Sequence, residues 1–282
     1  MNMTFCIGIM LGVLTALCKA GDTIINKDIM GEISPIEHSL YRIVFVLPVL
    51  GIASIFNWHL EKDALGLLFV YGILEVINIL FHQMAVKELK PIYAELISKS
   101  KTITTYIVSL IMMIESVSLG GVLGVIIFMV GIIITIDFSS LGSEKYANKK
   151  GIFCEIVSVL IRTAKPFVLR QMLLSESISN ETLAFLSMPI AFVFIYIIFR
   201  PKLNFRKLNV KKYSLQAVIV GISMITSGYA IIMASTVLTA MTENLSIFAV
   251  AIMSFFLYKK RNGFRFWIGA VLAVIGLVMV SI

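Results

Sequence analysis

The sequence predicts an all-α integral membrane protein, with ten transmembrane helices arranged as two inverted five-helix repeats, residues 1–139 and 140–282. Three observations carry this expectation. The chain is 59% hydrophobic and 14% charged, with mean hydropathy +0.98, well above the roughly 45–50% apolar share of soluble domains. Its apolar runs are about 20 residues long and do not alternate, which suits helices in a bilayer and not a barrel. The third is a doubling. Glu115–Ile134 (ESVSLGGVLGVIIFMVGIII) has a counterpart in Lys260–Met279 (KRNGFRFWIGAVLAVIGLVM), and Gly124 and Gly131 recur at one common offset as Gly269 and Gly276. That offset is about half the chain, so a whole half is repeated, not a short solenoid unit.

Taken in order, the first half offers spans at Thr4–Met30, Ile36–Asn57, Leu65–Ala85, Pro91–Ile114 and Leu119–Phe138. The second offers Lys150–Leu174, Glu181–Phe199, Tyr213–Ser235, Leu238–Leu257 and Phe264–Ile282. The first run lacks a basic lead-in and a small-residue cleavage pattern, so it reads as a membrane helix and not a removed signal. The links are short, Ser139–Lys149 and Arg200–Lys212 being the longest, and none can hold a separate soluble domain. An odd number of spans per half turns the second half upside down, the geometry that puts solute sites between repeats near mid-bilayer. Lys and Arg crowd the links on one side (Lys27, Lys87, Lys90, Lys145, Lys149, Lys150, the Arg200–Lys212 run, Lys259, Lys260, Arg261 and Arg265), whereas the other side carries Lys62 and Arg170. That bias puts both termini outside the cytoplasm. The Arg200–Lys212 run is expected to rest on anionic lipid.

Charged residues inside the spans mark the chemistry. Each costs roughly 2.5–3.5 kcal/mol at mid-helix, so a set of this size facing lipid would cost on the order of 30 kcal/mol. They must face one another, water or a ligand. In the first span Lys19, Asp22 and Asn26 share a face, beside Gly21; they are a cavity wall or a self-neutralising Lys–Asp pair. The second span adds Arg42. In the third, Glu75, Asn78 and His82 align; Glu75 is a candidate proton carrier with His82 as relay, or a fixed partner of Lys19 or Arg42.

The fourth span sets Glu95 and Lys99 four apart, an orientation that favours pairing, with Lys101 pointing elsewhere. The sixth carries Glu155, Arg162, Lys165 and Pro166, an anion-binding wall or a set of internal ion pairs with Glu155 and Glu243. Tyr229 in the eighth span can stack on an organic body or simply pack. Glu243 in the ninth mirrors Ser98, next to Lys99, across the repeat. Acids and bases nearly balance, which suits a zwitterionic or anionic metabolite better than a cation.

Other chemistries are missing. Cys6, Cys18 and Cys154 lie in apolar runs without metal-type spacing and read as small hydrophobes. No phosphate-binding Gly-rich loop and no nucleophile–base set is legible. The expectation is therefore no enzyme, no cofactor, no metal and no nucleic-acid partner.

With Ser34-Pro35 before Tyr41-Arg42, the polar break Lys19-Ala20-Gly21-Asp22, the acidic link Ile114-Glu115-Ser116-Val117-Ser118 and a closing G-x6-G helix in each half, the chain resembles the drug/metabolite transporter superfamily, in particular its EamA-type members. It departs from the family in having Lys19-Ala20 where a Trp is usual. The resemblance implies a secondary transporter in a bacterial-type cytoplasmic (inner) membrane, moving a small organic solute by alternating access. Proton coupling and a homodimer are compatible with it. Two alternatives stand: a flippase for a lipid-linked anionic precursor, and a non-transporting scaffold whose Gly124/Gly131 faces are assembly seams.

Overall fold

Apolar runs with polar punctuation become helices at nearly the expected bounds. The computed structural model describes residues 3–29, 33–89, 97–114, 118–135, 149–201, 203–204, 208–258 and 263–282. Among these the helices are α1 (Met3–Ile29), α2 (Pro35–Phe56), α3 (Ala64–Glu88), α4 (Lys101–Ile111), α5 (Leu119–Thr135) and α6 (Lys149–Leu174). They continue with α7 (Asn180–Phe199), α8 (Val210–Met233), α9 (Thr236–Asn244), α10 (Ser246–Tyr258) and α11 (Phe264–Ser281). The described residues contain no strand, only an antiparallel bridge between Leu60 and Ile178. Glu95, Glu115 and the Lys259–Arg261 run lie outside the described residues.

The starts have local causes. Ser34 and Glu37 form a capping box at α2, with Pro35 in the first turn. Ser179 and Ser235 cap α7 and α9 through the amides of Thr182 and Leu238. Seven described stretches are long and apolar enough to cross a membrane: most of α1 and α3, all of α2, α7, α8 and α11, and the run through α9 and α10. The 26-residue α6 has the length, but Glu155, Arg162 and Lys165 take it out of that group.

One expected span needs correction. Leu238–Leu257 is not continuous. The helix breaks at Leu245, whose amide bonds the Thr242 carbonyl at 3.0 Å in a tight turn, and α10 starts immediately after. The run expected from Pro91 likewise has a turn at Ser100 ahead of α4. Breaks of this sort survive at membrane depth where protein or a water-filled cavity surrounds them.

Helices of the two halves pack pairwise: α5 on α11, α1 on α8, α3 on α6 and α2 on α7. In each pair the contacts run in opposite order along the two chains. Thr15 meets Thr226 at 2.7 Å and Asp22 meets Gln216 at 2.7 Å. On α3, Glu75 meets Lys165, Asn78 meets Ser158 at 3.1 Å, and His82 meets Glu155 at 3.0 Å. Most tellingly, Gly124 lies on the Gly276 backbone and Gly131 on that of Gly269, so α5 and α11 cross antiparallel with glycine against glycine. These glycines join the chain to itself. The assembly-seam reading therefore has no free seam to use.

The molecule is inside-out relative to a soluble protein. Met10, Ile55, Phe56, Ile126, Ile197 and Val271 point outward, while Thr15, Ser158, Thr182 and Gln216 are fully buried. Asn180 illustrates how tightly such groups are held. Its amide donates to the Ile225 carbonyl at 2.7 Å through the space left by Gly228. Gly228→Ala, which sets a methyl on that amide, should lower stability by about 1–3 kcal/mol. Gly66→Ala, with open space around it, should be neutral or gain up to about 1 kcal/mol. Thermal unfolding in detergent compares the two.

Candidate functional site

A cavity of about 540 Å³ opens between the halves, with walls from α1–α4 and α6–α10. Of the residues singled out in the sequence, Lys19, Asp22, Asn26, Arg42, Glu75, His82, Arg162, Lys165 and Glu243 line it. Tyr229 and Lys99 are not among its lining residues: Tyr229 donates to Glu181 at 2.8 Å, and Lys99 is buried elsewhere. Glu95 lies outside the described residues, as does any pair it makes with Lys99.

Where α1 meets α2 and α8, Arg42 holds Asp22 at 2.7 Å. Gln216 donates to Asp22 Oδ1 at 2.7 Å and to Asn26 Oδ1 at 2.5 Å. His38 joins through Nε2, 2.6 Å from Asn26 Oδ1, and accepts at Nδ1 from Tyr213 at 2.9 Å. Lys19 and Asp22 therefore do not neutralise each other; each finds a partner on another helix.

The break at Leu245 carries Glu243 into the hollow. Its Oε2 takes Lys19 Nζ at 2.8 Å and Lys101 Nζ at 3.0 Å, and its Oε1 accepts from Ser227 at 2.7 Å. Lys101, expected to point away, is thus a cavity residue, and Lys99 is not. Next door, the neighbouring Asn244 donates to Thr102 at 2.6 Å, which ties the break to α4.

On the facing side Glu75 pairs with Lys165, whose ammonium also sits 4.9 Å from the Tyr71 ring centre. Deeper, Glu155 is fully buried and has both oxygens taken, one by Arg162 at 2.5 Å and the other by His82 at 3.0 Å. Arg162 donates its other arm to Ser98 at 2.9 Å. His82 thus bonds Glu155 and not Glu75. The remaining wall is apolar: Ile43, Val46, Leu183, Met188, Val220 and Met224. Gln216 went unnoticed in the sequence, although a glutamine alone in the apolar run Leu215–Val220 is a signal of the same kind as the charges.

Comparison with known proteins bears on this geometry. Residues 6–136 match the model of the EamA-like transporter family. The first half of the chain is EamA-like. The resemblance read from Ser34-Pro35 and Tyr41-Arg42 is borne out over that stretch, and the family that matches it is one of membrane transporters of small solutes. With seven described stretches suited to crossing a bilayer, the chain is an integral, multi-pass membrane protein. A solved crystal structure, titled only as that of a protein, superposes with a TM-score of 0.77 at 15% identity, covering 97% of this chain and 96% of the other. At that identity the likeness shows a shared fold. No curated protein matches.

Proposed function

We propose that this EamA-like chain is a secondary transporter moving a small zwitterionic or anionic organic metabolite across a bacterial-type cytoplasmic membrane by alternating access. In this reading residues 1–139 and 140–282 are inverted repeats, each of five spans. The observation that carries it is a single hollow in which Lys19 and Lys101 are satisfied across the halves by Glu243, Lys165 by Glu75 and His82 by Glu155, while Arg42 and Arg162 pair within their own halves. Such bonds cannot change partners without moving one half against the other. A solute that competes for them has differential affinity for two arrangements, which is what alternating access requires.

The packing supports the inversion. Exchanging the halves turns the α1–α8 pair into the α3–α6 pair and returns α5–α11 and α2–α7 to themselves. One end of the hollow is also shut. Glu61 N donates to Ser177 O at 2.8 Å and Ser179 N to His59 O at 3.1 Å, joining the links before α3 and α7. Asn57 and Tyr229 both hold Glu181 there, and Leu169, Met172, Ile178 and Leu183 pack beneath. Meanwhile the Lys19 and His82 side chains keep 41% and 39% exposure, so the hollow is reached from outside.

Glu75 remains the proposed proton carrier with His82 nearby; protonating it requires Lys165 to let go. In proteoliposomes, Glu75→Gln should cut solute uptake at least about tenfold, the scale of one charge-assisted bond, with unchanged elution and a similar unfolding temperature. Normal uptake by both Glu75→Gln and Lys165→Met would remove the hollow from the path.

A further inference from the structure

The pairing in the hollow is uneven at one point. Among the described residues that line it, Arg42 has Asp22, Lys165 has Glu75 and Arg162 has Glu155, one cation to one carboxylate. Lys19 and Lys101 share Glu243, and both ammoniums sit on the same oxygen, Oε2. Among the described lining residues and their partners, this leaves one more Lys or Arg than carboxylates. An anion of charge −1 balances that surplus.

We infer that Lys19 and Lys101 form the head-group subsite for a carboxylate solute of net charge −1 with an apolar body, and that Glu243 occupies the subsite when no solute is bound. This deepens the transport reading and rests on it. A carboxylate offers two oxygens and can take one ammonium on each, releasing Glu243 Oε2 from double duty. Each of the two arginines has an acid of its own, whereas the two lysines share one. A phosphate monoester brings about −1.5 to −2, which overshoots a single surplus charge. Opposite the lysines, Ile43, Val46, Leu183 and Met188 give the body an apolar bed. About 540 Å³ suits a small organic acid.

The test is calorimetric binding to purified wild-type protein of a matched series: 3-phenylpropionate, its amide, 3-phenylpropylamine, phenylalanine and phenyl phosphate. The carboxylate should bind at least about tenfold more tightly than its amide, as one charge-assisted bond dictates. Lys101→Met and Lys19→Met should each erase that preference while leaving weak amide binding intact. Glu243→Gln should strengthen carboxylate binding, because the internal competitor is gone; a merely structural Glu243 would weaken it. Amine, amide, zwitterion or phosphate bound as well as the carboxylate would overturn the assignment, as would no carboxylate binding at all. Uptake measured separately with Glu75→Gln then tells whether the transport reading falls too, since that variant leaves Lys19, Lys101 and Glu243 untouched.

Discussion

Gly131→Leu is expected to yield no monodisperse protein in detergent. A Cβ at Gly131 would lie 2.6 Å from the Gly269 carbonyl oxygen and 2.6 Å from the Ala273 nitrogen, both main-chain atoms that cannot swing aside. The same holds across the seam, where a Cβ at Gly276 would meet Gly124 O and Phe128 N at 2.5 Å. Between helices in lipid there is little hydrophobic drive, and close backbone approach supplies the attraction. Gly131→Ala alone should cost about 1–3 kcal/mol by overpacking, and leucine far more. Gly120→Ala on the same helix is the control, because its Cβ would meet only the Met279 carbonyl at 3.6 Å. Fluorescence-detected size exclusion after heating reads all three. A wild-type melting curve for Gly131→Leu would show that α5 and α11 do not meet as described.

Arg162→Ala should be the most damaging change in the cavity wall. The structure makes Arg162 the partner of a carboxylate with no exposure, and stripping one member from a buried pair costs about 3–5 kcal/mol. His82 holds only the second oxygen. Removing the acid as well should recover most of the loss, so Arg162→Met with Glu155→Gln should unfold at a higher temperature than Arg162→Ala alone. Such non-additivity is the mark of residues acting as a pair. Additive losses would mean that Glu155 is satisfied by something else.

How far the sequence led can be judged residue by residue. The bounds of α1, α2, α3, α7 and α11 follow from apolar runs ended by polar links, and the structure moves them by a few residues. Lipid selects helices so strictly that composition suffices. The cost of charge in hydrocarbon also singled out most of the wall, from Lys19 to Glu243, without any knowledge of where the helices stand. Partners were harder. Helical spacing sees neighbours on one helix, so it offered Lys19 with Asp22 and Glu95 with Lys99, whereas Lys19 and Asp22 bond across helices. Lys99 and Lys101 do face different ways, as their spacing requires, but spacing could not tell which of the two faces the hollow. The break at Leu245 left no Pro or Gly behind to announce it.

The glycine seam has a consequence for ancestry. A G-x6-G spacing reads the same from either end, so a helix bearing it meets an antiparallel copy of itself residue for residue. One five-helix polypeptide inserted into the bilayer in both directions would thus possess, at its closing helix, the face needed to associate with its own mirror-oriented twin. Joining two such genes head to tail would freeze that arrangement, and only afterwards would the two copies be free to diverge.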